Sequence, residues 1–205
     1  PLLYILAAIA GNVFWFRVIL AAWMFITTVA FWKLTQVLFE KNPKARKIAT
    51  IAFAILTTIP LLEGQIANAE IFMLGPTIAA FLVLLTKKLT PKNLFFSGLL
   101  FATATLFKVP AAFDVPVIIA FWLIIAISKN KSKKLQVDVI KIIKNTTYLA
   151  VGFFAPIALT LVWYFIRGAF QEYLIAAFLQ NVGYLSSWRA SATQQPFLEK
   201  NGPLL

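Results

Sequence analysis

Six stretches without a charged residue, at 18–32, 48–62, 71–86, 93–107, 115–128 and 145–166, decide what this chain can fold into. An apolar run in hydrocarbon must satisfy its backbone polar groups internally, and only helices and closed barrels do so. None of the six shows the alternation of a barrel strand, so each is expected to be helical. Five are 14 to 16 residues long, roughly 21 to 24 Å at 1.5 Å per residue, against a hydrocarbon core of roughly 30 Å. Flanking residues such as Lys33, Thr86 and Asn93 extend a helix to the interface, the lysine snorkelling its ammonium outward. The stretch at 145–166 is long enough unaided. Composition agrees, with 61% hydrophobic and 13% charged residues and a mean hydropathy of +0.85, far above soluble usage. The expected fold class is all-α: a polytopic transmembrane helical bundle of about six membrane helices with short juxtamembrane or interfacial helices.

The charges between the stretches set an orientation. Lys41, Lys44, Arg46 and Lys47 fill the first connection, Lys87, Lys88 and Lys92 the third, and Lys129, Lys131, Lys133, Lys134, Lys141 and Lys144 the fifth, thirteen of the 19 basic residues. The intervening segments carry Glu63, Glu70, Asp114, Glu172 and Glu199, five of the seven acids. By the positive-inside rule the lysine-rich connections face the cytoplasm and the others face out. Spans are expected at about 12–39, 48–63, 70–86, 93–108, 115–128 and 146–167 of a single transmembrane domain. An outer juxtamembrane segment is expected at 1–11 and an outer segment at 168–205. An inner interfacial helix is expected at 135–144, with Leu135, Val139, Ile142 and Ile143 on one face and Lys134, Asp138, Lys141 and Asn145 on the other. The chain reads as an internal fragment of a longer protein. The lysine run at 129–134 reads as a solvated inner loop, so nucleic acid is not an expected partner.

Cysteine and histidine are both absent, which removes thiol nucleophiles, Cys/His zinc sites and histidine general bases. Chemistry must rest on carboxylates, Lys, Arg, amides and hydroxyls. Ionisable groups at the margin of a membrane helix are costly unless paired or working, and Glu63, Gln65, Asn68 and Glu70 lie together on one outward segment. If that segment is helical, Glu63 and Glu70 are seven residues apart and share a face; if it is a loop, it is polar because it is wet. The next outward turn, Phe107-Lys108-Val109-Pro110-Ala111-Ala112-Phe113-Asp114-Val115-Pro116, offers two readings. Lys108 either pairs with Asp114 or snorkels to lipid phosphate, or it forms an anion site suited to a phosphate headgroup. Arg17 is a third outward charge, with anchoring beside Trp15 as its first role and substrate binding as its second. The phenylalanine-rich composition is assigned to packing.

Four segments in order carry a resemblance. They are Pro1-Leu2-Leu3-Tyr4, Phe16-Arg17-Val18-Ile19, Gln65-Ile66-Ala67-Asn68-Ala69-Glu70-Ile71-Phe72-Met73, and Gly98-Leu99-Leu100 running to Leu106-Phe107-Lys108. Together they resemble the GT-C class of membrane glycosyltransferases, in particular the bacterial branch similar to protein O-mannosyltransferases and lipid A aminoarabinose transferases. The resemblance implies transfer of a sugar from a polyprenyl-phosphate donor to a protein, lipid or glycan acceptor, on the outer face of a prokaryotic plasma (inner) membrane. It implies Glu70 as the active-site acid and Lys108 at the carrier phosphate, where many relatives follow the lysine with Gly-Pro and this chain has Val109-Pro110. Asn68, Gln65, Glu63, Asp114 and Arg17 are the further substrate-binding candidates. The catalytic aspartate it implies belongs to a first outer loop ahead of Pro1, so this stretch alone is expected to be inactive. One or two carboxylates plus substrate oxygens suffice for magnesium, so a divalent metal, Mg or Mn, held by Glu70 is the one cofactor considered. A secondary transporter, a lipid flippase and a non-catalytic membrane scaffold are the alternatives, although no acid or base sits in the middle of a span to form a relay across the bilayer.

Overall fold

The computed structural model describes residues 2–59, 66–128 and 135–179, and every regular element among them is helical. The order is α1 (Leu2–Ala10), α2 (Val13–Leu38), α3 (Pro43–Leu56), α4 (Ala69–Thr86), α5 (Pro91–Phe107), a 3-10 turn (Val109–Phe113), α6 (Asp114–Ser128), α7 (Leu135–Ile166) and α8 (Phe170–Leu174), with a π turn at Ile175–Leu179. Local sequence explains the starts. Asn12, Asn42 and Asn68 each accept the amide of the third helical residue at 3.0 Å, from Trp15, Ala45 and Ile71, and Thr90 takes the Asn93 amide at 3.3 Å. These side chains satisfy amides that have no partner inside the helix. Pro43 and Pro91 open α3 and α5, where a missing N–H costs nothing. Gly11 ends α1 at φ +70°, a left-handed conformation that glycine adopts without strain.

Four segments among the described residues are long and apolar enough to cross a membrane: α2, α4, Val109–Ser128 and Val139–Ile166. The other two expected spans correspond to α3 and α5, of 14 and 17 residues, about 21 and 25 Å long and short of the hydrocarbon core. Shortness does not put α5 at the margin. It packs against both α4 and α7 and buries Leu94, Ser97, Gly98, Phe101, Ala102, Ala104 and Leu106. The close approach of α5 to α7 depends on two glycines, since a Cβ on Gly98 would lie 2.2 Å from the Leu149 carbonyl oxygen and one on Gly152 would lie 2.1 Å from that of Phe95.

The expected separate inner helix at 135–144 is instead the beginning of α7, which runs unbroken to Ile166. No glycine or proline interrupts it before Gly152, and the Thr147 hydroxyl folds back onto the Ile143 carbonyl at 2.9 Å rather than breaking the helix. Of the segment expected to lie outside at 168–205, residues 168–179, with α8 and the π turn, are described and 180–205 lie outside the described residues.

Large apolar side chains remain exposed along the helices, among them Phe25, Ile26, Phe121, Ile124, Phe154, Leu159 and Phe165. A hydrocarbon solvent accommodates such a surface and water does not. The charges divide between the two ends of the bundle. Leu38, Leu85 and Trp122 meet around one cavity, and Leu89, Ala126 and Lys141 around another. The lysine-bearing turns after α2 and α4 and at the start of α7 therefore share one end. The start of α4 and the finish of α5 lie at the other, where Phe72 and Phe107 stack with centroids 5.6 Å apart.

Candidate functional site

Glu70 and Lys108, 38 positions apart in the chain, form an ion pair at the end opposite the lysines. Each is delivered by a helix terminus. Glu70 lies in the first turn of α4, where the unpaired amides and the helix dipole favour a carboxylate. Lys108 caps the C-terminus of α5, its extended backbone donating to the Ala104 carbonyl and its own carbonyl receiving Ala111 of the 3-10 turn. Helices of 18 and 17 residues joined by a short turn bring those two ends to the same height.

The pair is open on one side, with 34% of the Lys108 side chain and 50% of the Glu70 side chain exposed. Beneath it lies an aromatic floor, where composition alone suggests no more than packing. Phe72 is fully buried, stacks on Phe16 and Phe107, and meets Trp23 at 5.7 Å between centroids. Phe107 immediately precedes Lys108 and Phe72 follows Glu70 by two, so the floor fixes the backbone from which both charges project. Aromatic residues at those offsets are the available sequence signal.

The other expected site residues divide. Asn68 is committed through its side-chain oxygen to capping α4, so its described role is to hold the turn that carries Glu70. Asp114 opens α6 with Thr77 of α4 as its side-chain neighbour. The Lys108–Asp114 ion pair, one of the readings of that turn, is not formed, since Lys108 pairs with Glu70. The 3-10 turn carries Asp114 onward to α6, while the lysine reaches across to α4. Arg17 is exposed on α2, next to the Phe16 that stacks on Phe72, and its side chain makes no hydrogen bond or ion pair among the described residues. Glu63 and Gln65 lie outside the described residues. At the same end Tyr173 stacks on Tyr164 at 4.4 Å. Burial, and then the neighbouring Tyr164 phenol, push its pKa up, so it stands as a neutral hydrogen-bond donor.

No group of three or more acidic residues among those described is arranged to hold a metal. Glu70 faces the Lys108 ammonium, which opposes a cation at the same carboxylate while the pair is formed. What the site offers is a cation and a carboxylate, both accessible, at one end of an apolar bundle. An anion reaching Lys108 has only to displace Glu70 from a partly exposed pair, a type of contact whose net strength is small. No family model, curated protein or solved structure matches the chain.

Proposed function

We propose that the chain is the membrane part of a glycosyltransferase that moves a sugar from a polyprenyl-phosphate donor to an acceptor on the extracytoplasmic face. The reading rests on the resemblance of its motifs, and the observation that carries it is the meeting of Glu70 and Lys108. Those residues belong to separate motifs, and they share one exposed site. The lysine-bearing end is then cytoplasmic, and the Glu70 end lies at the level where an outer-leaflet lipid presents its phosphate.

The reaction breaks the bond between the sugar's anomeric carbon and a phosphate oxygen and forms one to an acceptor oxygen. Negative charge develops on the departing phosphate, and Lys108 is placed to stabilise it. Glu70, released as the phosphate takes the lysine, becomes a free carboxylate beside the sugar and positions its hydroxyls. The acceptor's proton passes to a carboxylate base, which the resemblance assigns to an outer loop ahead of Pro1.

Lys108→Met in the full-length protein tests the reading, because it keeps the apolar stem and removes the charge. Donor binding is expected to weaken and turnover to fall by one to three orders of magnitude, the scale of losing one transition-state charge stabiliser at about 2 to 4 kcal/mol. Unchanged donor affinity and rate would return Lys108 to a structural pairing with Glu70.

A further inference from the structure

At the lysine-bearing end, far from Glu70, two cavities run into each other along α6 and α7. One is a trough of about 730 Å³ between the two helices, walled by Leu123 and Phe154 and lined by the small residues Ala150, Ala155 and Ala158. The other, about 200 Å³, is bounded by Leu89, Trp122, Lys141 and Asn145. Ile142 borders both. The space is thus amphipathic along its length, with an ammonium and an amide at the bundle's end and apolar walls extending into its middle.

We propose that these cavities form a binding site for one anionic phospholipid of the leaflet at the lysine-bearing end. The headgroup phosphate would lie between Lys141 and Asn145, and an acyl chain would fill the α6–α7 trough.

Three observations choose this occupant. The trough is open and apolar, so in a membrane its natural content is hydrocarbon rather than water or a polar solute. Lys141 is exposed, and neither it nor Asn145 makes a side-chain hydrogen bond or ion pair among the described residues. A cation and a donor are therefore unspent where the apolar walls end. The surrounding charge is mostly of the same sign: Lys144 is one turn away, and Lys87, Lys88 and Lys92 adjoin Leu89 and α5, against one acid, Asp138, three residues before Lys141 in the sequence. Basic pockets between membrane helices attract anionic headgroups over zwitterionic ones. The proposal is independent of the glycosyltransferase reading, since it uses the opposite end of the bundle.

Native mass spectrometry of the full-length protein in mild detergent, titrated with phosphatidylglycerol and with phosphatidylcholine of the same acyl chains, tests it. The wild type is expected to retain one phosphatidylglycerol more tightly than phosphatidylcholine. Lys141→Gln should weaken phosphatidylglycerol about fivefold, the loss of one lysine's attraction for an anionic lipid, and leave phosphatidylcholine unchanged. Lys44→Gln, which removes a lysine from the same end outside the cavities, should alter neither. Equal retention of the two lipids by the wild type, or equal losses in the two lysine variants, would overturn the proposal in favour of diffuse surface attraction. A second copy of the chain covering α6 and α7 and excluding phosphatidylglycerol would also overturn it. Lys141 is exposed, so its substitution leaves the fold in place, and an unchanged circular dichroism spectrum checks this.

Discussion

The indole N–H of Trp23 donates to the carbonyl of Phe72 at 3.1 Å, the carbonyl that would receive the amide of residue 76 in an uninterrupted helix. Residue 76 is proline, inside α4, and has no N–H to give. An unpaired carbonyl is expensive in an apolar bundle, so α2 supplies the donor that α4 lacks. Gly75 makes room for it, because a Cβ there would lie 3.0 Å from Trp23 Nε1 and 2.8 Å from the Thr27 hydroxyl. The bond therefore joins α2 to α4 within two residues of Glu70.

Removing the donor should reveal that dependence. Trp23→Phe is expected to lower stability by about 1 to 3 kcal/mol, the cost of a buried carbonyl left unsatisfied. Pro76→Ala returns an N–H within α4, so Trp23→Phe should cost less in that background. Measured by thermal unfolding in detergent, the coupling should fall near 0.6 to 1.7 kcal/mol, the range found for hydrogen bonds between membrane helices. Additive losses would mean that Trp23 acts by ring packing alone.

The α5–α7 crossing gives a second prediction. Gly98→Ala or Gly152→Ala forces a methyl group against backbone that cannot turn away, and is expected to destabilise by about 1 to 3 kcal/mol or more, the usual cost of overpacking. Gly168 is the control. It has φ +70°, but nothing lies within 4 Å of where a Cβ would stand. Gly168→Ala should therefore cost only the left-handed backbone penalty, about 1 to 2 kcal/mol, and leave the elution profile monodisperse. Equal behaviour of all three would contradict the crowding argument.

Orientation can be tested without activity. The chain has no cysteine, so single cysteines at Lys44 and Ile66, both exposed, report on opposite ends of the bundle. An impermeant thiol reagent added to intact cells is expected to label Ile66→Cys and to reach Lys44→Cys only after permeabilisation. Labelling of both in intact cells would overturn the assignment of the lysine-bearing end to the cytoplasm.

The helices themselves are legible in the sequence because charges and caps punctuate them. Asn12, Asn42, Asn68 and Thr90 stand where helices begin, and the lysine clusters at 41–47 and 87–92 fall between α2 and α3 and between α4 and α5 or in the first turns that follow. Whether a helix crosses is less legible, since charge spacing gives the length of an apolar run and not of the helix: α7 continues through Lys141 and Lys144 as though they were absent. The partner of Lys108 is hidden for a related reason. Asp114 is six residues away in sequence, but a pairing across antiparallel helices depends on matched helix lengths, and those bring Glu70 within reach instead. The aromatic floor is concealed among 20 phenylalanines, because composition does not distinguish a ring that faces lipid from one that seats an ion pair.

The claim that Glu70 does more than hold a helix end is tested most directly by transfer activity in the full-length protein, comparing Glu70→Gln with Glu63→Gln. Both replacements keep size and one acceptor oxygen, and both remove an acid seven residues from the other on the same segment between two apolar stretches. A role owed to a wet, negative surface would be shared between them. Among the described residues Glu70 is the acid tied to Lys108, so Glu70→Gln is expected to lower transfer by about a hundredfold or more with normal expression and membrane insertion, and Glu63→Gln to cost much less. Equal, small losses from the two substitutions would contradict the account.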